Sequence, residues 1–228
     1  VLTLTMADAQ NRDRQSVEEL IPASTVLFIG HDGAEKHKGA WEKTAAYEAM
    51  YESGLVAVFE KLFAFVEEQT GVKNNPEVAA AMKHLQDHGA TIAVSLPAAG
   101  GPPIPQVTVI LHKAAKYDPM LSGLVRNFGI FVGAQFEQSE VSERSITRAT
   151  IPNTPGIEVG IWAEGEHLVI VAGMNAVDTG IAVASGETPN LSTNKVWKKY
   201  NYDEGGYEVT SVGWLDFEAI RKTYGQMP

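Results

Sequence analysis

The sequence predicts an α+β fold built on a largely antiparallel β-sheet with helices packed on one face. Two observations predict it. Apolar residues recur at every second position in several short segments of the C-terminal half, and turn residues separate neighbouring segments as in β-hairpins. Between these segments lie stretches with the three- and four-residue spacing of amphipathic helices. Because hairpins outnumber strand–helix–strand alternation, an antiparallel sheet is favoured over a parallel one.

In the N-terminal half, Ser16 is placed to cap a short helical turn that ends before Pro22. Residues 25–29 form a continuous apolar run that predicts a buried strand. A polar loop is expected over residues 30–39. Residues 40–88 have a helical pattern, which includes an apolar stripe within residues 55–66.

The pattern then changes to a period of two, and later helices alternate with strands. Gly165 lies in a predicted hairpin turn, and Gly89 and Gly186 are placed to end helices. The remaining predictions are strands at 91–96, 106–112, 142–150, 156–163, 167–172 and 207–213, and helices at 118–137, 173–185, 191–200 and 216–224.

Composition limits the classes of function. The 228 residues are 44% hydrophobic, which is enough for a sizeable core, and we interpret residues 10–228 as a single domain, a candidate for the first part of a longer protein. A formal net charge of −10 disfavours nucleic acid as a partner. The absence of cysteine excludes disulfides and thiolate chemistry. No apolar run is long enough to predict a membrane-spanning segment.

The first residues resemble the end of a signal peptide. They are apolar and small, and Ala7 and Ala9 occupy the two small positions of an A-x-A cleavage pattern. We therefore interpret residues 1–9 as a signal-peptide remnant. This interpretation predicts a bacterial protein that is extracytoplasmic, either periplasmic or secreted.

Three further segments carry a family resemblance. Residues 22–29 lead from a proline into an apolar strand, residues 165–173 read GEHLVIVAG before a helix, and residues 185–192 read SGETPNLS before a helix with lysine and tryptophan. Together they resemble the DUF3352-type exported proteins common in planctomycetes, over most of the chain. The resemblance implies an extracytoplasmic protein of undefined function with no established catalytic residues.

One motif suggests a metal site. His84 and His88 lie one helical turn apart in an H-x-x-D-H sequence, which is similar to the H-x-x-E-H motif of a class of zinc peptidases. Glu164 lies at about the downstream separation of the third ligand in insulinase-like enzymes, again by resemblance. A degenerate metal-dependent hydrolase is therefore one hypothesis. Aspartate is shorter than glutamate, and the motif ends its helix before Gly89, so capping or surface roles are the alternative.

Other signals are weaker. His31, Asp32, Glu35 and His37 could hold a divalent cation, and the predicted helix at 118–137 could present an apolar face for self-association. No catalytic motif or cofactor fingerprint is present, so the sequence predicts neither catalytic residues nor a cofactor. Our leading prediction is a non-enzymatic ligand-binding, scaffold or interaction module of the cell envelope, whose partner is an unknown envelope protein or ligand.

Overall fold

A computed structural model describes residues 16–54, 76–96, 104–131, 133–150, 152, 154, 156–200 and 210–225. The strands are β1 (Thr25–His31), β2 (Ala90–Ser95), β3 (Gln106–Leu111), β4 (Gln135–Val141), β5 (Arg144–Thr150), β6 (Ile157–Glu164), β7 (His167–Met174) and β8 (Ser211–Leu215). The α-helices are α1 (Ala34–Trp41), α2 (Ala45–Glu52), α3 (Pro76–His88), α4 (Asp118–Phe131), α5 (Ala176–Ala184), α6 (Lys195–Tyr200) and α7 (Phe217–Tyr224). Short 3₁₀ turns occupy Val17–Leu20, Ala115–Tyr117 and Leu191–Thr193.

All eight strands join one sheet in the order β4-β5-β6-β7-β3-β2-β1-β8. Every neighbouring pair is antiparallel. The sheet consists of two meanders, β4 to β7 and β1 to β3, that meet where β3 pairs with β7, and β8 completes it beside β1. The predicted α+β class with an antiparallel sheet is confirmed.

Helices lie on both faces of the sheet rather than on one. In β7, Val169 and Val171 join the core that also holds Val177 and Ile181 of α5. The alternate residues of β7 point the other way and belong to a second core that includes Leu121 of α4. The expectation of one covered face was wrong because the central strands are apolar on both faces. The same packing places part of the apolar side of α4 against the sheet.

Two glycines let α5 approach the sheet closely. A Cβ atom at Gly160 of β6 would lie 2.4 Å from Cγ2 of Val177, and one at Gly180 of α5 would lie 2.8 Å from Cη2 of Trp162. Real Cβ atoms do not tolerate such distances. The helix can therefore lie in contact with the strand backbone only while these positions have no side chain.

We expect Gly160→Ala to lower the free energy of unfolding by about 1–3 kcal/mol, because the new methyl group overpacks the site. Shortening the neighbour in the double variant Gly160→Ala, Val177→Ala should recover part of that loss. Gly123→Ala in α4 is the control, because its Cβ would meet nothing within 4 Å, and better helix propensity should leave stability unchanged or higher. Urea unfolding measures all three. Equal stability of the two glycine variants would contradict the packing argument.

The predicted end of one helix was wrong, and one β-hairpin was not predicted. The helix expected over 118–137 ends at Phe131, and strand β4 follows it. The turn between β4 and β5 consists of Ser142 and Glu143, whose φ angles are 48° and 61°. Such turns usually contain glycine or asparagine, so the sequence carried no signal for this hairpin.

The loop predicted over residues 30–39 contains most of helix α1. Residues 1–9 and the apolar stripe within 55–66 lie outside the described residues. Among the helices that the structure describes, none combines the length and apolar character needed to cross a membrane.

Candidate functional site

All six histidines of the chain lie at the same end of the sheet, where β1, β3 and β7 each begin or end. His31 ends β1, His112 follows β3 and His167 begins β7. The antiparallel register pairs His31 with Ala90, Ala90 with Leu111 and Leu111 with Leu168, so these strand ends are neighbours. The other three histidines are carried to the same region by helices: His37 by α1, and His84 and His88 by α3.

A cleft opens at this end of the strands, and we call it the strand-end cleft. Its inner part has a volume of about 320 Å³ and is lined by residues that include Phe28, Gly30, Thr91, His112 and Trp197. Its outer part has a volume of about 590 Å³ and is lined by residues that include Asp32, Glu35, Asp87, His88, His112, Lys113 and His167. Both parts are lined by Asp32, Lys36 and His112, so they are adjacent, with aromatic residues in the inner part and polar residues in the outer part.

His112 has both ring nitrogens engaged. Nδ1 lies 3.1 Å from the carbonyl oxygen of His88, and Nε2 lies 3.0 Å from Oγ1 of Thr91. A carbonyl oxygen only accepts, so Nδ1 carries the hydrogen. In the neutral ring Nε2 is then an acceptor, and the Thr91 hydroxyl donates to it.

A second hydrogen bond joins helix α3 to the residue after β3, and here the donor is on α3. Nε2 of His84 donates to the carbonyl oxygen of His112 at 3.0 Å. The ring of His84 also lies between those of His88 and Tyr117, with centroid distances of 4.2 and 5.0 Å. These contacts attach the C-terminal end of α3 to the end of β3 and so form one wall of the cleft.

Three of these imidazoles favour the neutral form. Burial lowers the pKa of His84, and it lowers the pKa of His112 and His167 in the same way. The rings of His112 and His167 lie 5.8 Å apart, and a charge on His167 lowers the pKa of His112 further. Asp32 acts in the opposite direction on His112, but more weakly than burial.

These shifts predict that the protein loses stability on acidification. A histidine with a folded pKa below the unfolded value near 6.5 binds its proton more readily in the unfolded chain. Stability therefore falls as the pH drops below the unfolded pKa and continues to fall until the folded pKa is passed. We expect urea midpoints to decrease from pH 7.5 to pH 5.5.

His112→Gln should make that decrease smaller, because it removes one of the three titrating groups, while the exposed variant Lys222→Gln should not change it. The carboxyl groups with lowered pKa, Asp87 and Glu218, titrate at lower pH than this window. Urea midpoints that stay constant or rise between pH 7.5 and pH 5.5 would show that the buried imidazoles are not neutral.

The structure brings together two of the three residues predicted to bind metal. The rings of His84 and His88 are adjacent, but Glu164 is 2% exposed and is bound elsewhere. Its two carboxylate oxygens accept from Nε and Nη2 of Arg144, and one of them also accepts from Nε1 of Trp162. Among the described residues, no three histidine, aspartate or glutamate side chains are placed to hold one metal ion. The set His84, His88 and Glu164 is therefore not assembled.

In the second predicted cluster, Nε2 of His37 lies 3.8 Å from a carboxylate oxygen of Asp32, but the other contacts of the cluster lead to different partners. Asp32 accepts from Lys36, and Oε2 of Glu35 lies 3.2 Å from Nδ1 of His88. His31 contacts the start of β8 through Ser211. Sequence reasoning missed Thr91, His112 and His167, because nothing local distinguishes them from ordinary residues at strand ends.

Comparison with known proteins gave no match to a family model, to a curated protein or to a solved structure. The resemblance to DUF3352-type exported proteins therefore stays a prediction.

Proposed function

We propose that this chain is an extracytoplasmic ligand-binding domain, and that a small, partly apolar molecule binds in the strand-end cleft. The observation that carries the proposal is the convergence of His88, His112 and His167 on a concave site whose remaining polar groups are carboxylates and lysines. Ligand sites of this kind have volumes of about 300–1,000 Å³ and a few polar groups placed on an apolar surface. Export, suggested by residues 1–9, and action within the cell envelope are parts of the same proposal.

The interior of the cleft supplies the apolar surface. The rings of Phe28 and Trp197 pack with centroids 4.6 Å apart, and Trp214 lies 5.8 Å from Trp197. At the rim, the neutral imidazole of His167 can form a hydrogen bond to a ligand without the desolvation cost of a charge. A ligand with one apolar group and one or two hydrogen-bonding groups fits this combination.

Protein-observed NMR with isotope-labelled protein tests the proposal. The probes are small carboxylic acids, esters, amides and amines, added one at a time. We expect at least one class to shift the imidazole signals of His112 and His167 and the indole signal of Trp197 together. His167→Leu should weaken that binding, and the exposed variant Lys222→Gln in α7 should not. Probes that shift only signals far from the cleft would contradict the proposal.

A further inference from the structure

We propose that Thr91 and His112 form a nucleophile and general-base pair that hydrolyses small esters bound in the strand-end cleft. The proposal rests on the proposed function, because the ester must first bind there. It goes beyond that function by assigning a reaction to two named side chains.

The geometry meets the requirements for an activated hydroxyl. Such a nucleophile needs a base within about 2.6–3.2 Å, and the base needs a third group that orients it. Oγ1 of Thr91 lies 3.0 Å from Nε2 of His112, and the carbonyl oxygen of His88 holds Nδ1 of His112 at 3.1 Å. The backbone carbonyl thus selects the tautomer in which Nε2 presents its lone pair to the hydroxyl.

A second hydroxyl and imidazole in the same cleft lack this arrangement. Oγ of Ser211 lies 2.9 Å from Nδ1 of His31, but the carbonyl oxygen of Thr210 lies 3.0 Å from that same nitrogen. Because the carbonyl requires a hydrogen on Nδ1, the nitrogen has no lone pair for a proton from Ser211. A hydroxyl near a histidine is therefore not sufficient. Thr91 is the candidate nucleophile because its partner nitrogen, Nε2 of His112, has a lone pair available.

Thr91 is only 2% exposed, but it is one of the residues that line the inner cleft. Its neighbour across the β1–β2 ladder is Gly30. A Cβ atom at Gly30 would lie 3.4 Å from Oγ1 of Thr91 and 2.9 Å from Cε1 of Phe28. With no side chain at Gly30, the ring of Phe28 occupies that space, and the hydroxyl lies beside the aromatic part of the cleft lining that Phe28 and Trp197 form. The inner cleft, with a volume of about 320 Å³, is large enough for a small acyl group.

The reaction consumes only the ester and one water molecule. The Thr91 oxygen attacks the ester carbonyl carbon while His112 Nε2 takes the hydroxyl proton. The bond to the leaving oxygen then breaks, that oxygen takes the proton from Nε2, and the acyl group remains on Thr91. Water attacks the acyl-threonine with His112 again as base, and this step releases the carboxylic acid and restores the hydroxyl. The lowered pKa of His112 keeps its ring in the basic form at neutral pH.

The test uses p-nitrophenyl acetate, because its leaving group needs little assistance. We expect kcat/KM to fall by roughly 100-fold or more in Thr91→Val and in His112→Gln, in line with the usual contribution of a positioned base. Thr91→Ser keeps the hydroxyl and should retain activity. Ser145→Ala on β5 is the control, because this serine is exposed and lines neither part of the cleft, and it should stay within about twofold of the parent protein.

Covalent trapping separates nucleophilic attack from a loss of folding. Diisopropyl fluorophosphate should label the peptide that contains Thr91, as read by mass spectrometry, and the label should be absent in the folded Thr91→Val variant. If that label never appears and Thr91→Val hydrolyses the ester like the parent protein, the reaction is overturned, whereas NMR shifts in the cleft would still support ligand binding. If neither labelling nor cleft shifts occur, both proposals fail.

Discussion

Replacing Arg144 with methionine should lower the free energy of unfolding by about 3–5 kcal/mol, because it leaves the Glu164 carboxylate buried without its cation. Both residues are almost fully buried, at 5% and 2% exposure. Nη2 of Arg144 donates to Oε1 of Glu164 at 2.9 Å, and Nη1 donates to the carbonyl oxygen of Ser142 at 3.0 Å. One guanidinium therefore joins β5, β6 and the unusual β4–β5 turn.

Urea unfolding of Arg144→Met measures this loss, and Arg126→Met on the exposed side of α4 is the matched control, expected within about 0.5 kcal/mol of the parent protein. Removing the charge as well, in the double variant Arg144→Met, Glu164→Leu, should restore part of the stability, because no unpaired ion then remains. The indole N–H of Trp162 still loses its acceptor in that variant. Similar stabilities for Arg144→Met and Arg126→Met would contradict the ion-pair argument.

Trp197→Ala should also cost about 3–5 kcal/mol, the usual range for removing a buried aromatic side chain. Trp197 is 3% exposed and packs between Phe28 of β1 and Trp214 of β8. Its helix is short, and Asn194 holds it in place, because Oδ1 accepts from the backbone N–H groups of Val196 and Trp197. Packing of one ring therefore holds α6 against the sheet and forms the inner wall of the cleft.

Trp41→Ala provides the comparison, since Trp41 is 42% exposed and has an edge contact with Tyr47. We expect it to cost less than about 1 kcal/mol by thermal or urea unfolding. Trp197→Ala should also lose ligand-induced NMR shifts at His112, whereas Trp41→Ala should keep them. Equal losses of stability in the two tryptophan variants would show that the wall of the cleft does not depend on Trp197.

Local patterns in the sequence were sufficient for much of the fold. The apolar run at 25–29, the hairpin around Gly165 and the helix that follows β7 are all present in the structure. Each depends on spacing along a short segment or on one turn residue, and such signals survive without knowledge of distant contacts. The β4–β5 hairpin had no such local signal, because Ser142 and Glu143 adopt the positive φ angles that glycine usually adopts in a turn. The sequence therefore did not predict it.

The candidate site depended on contacts that no local pattern encodes. His84 and His88 were visible as a motif, but their neighbours proved to be the His112 carbonyl and Glu35, while Glu164 pairs with Arg144. By itself the sequence determined the α+β class and the antiparallel sheet. Only the tertiary structure decided which polar groups meet. The register of β1, β2, β3 and β7 brings the ends of these strands together, although they are far apart in the sequence.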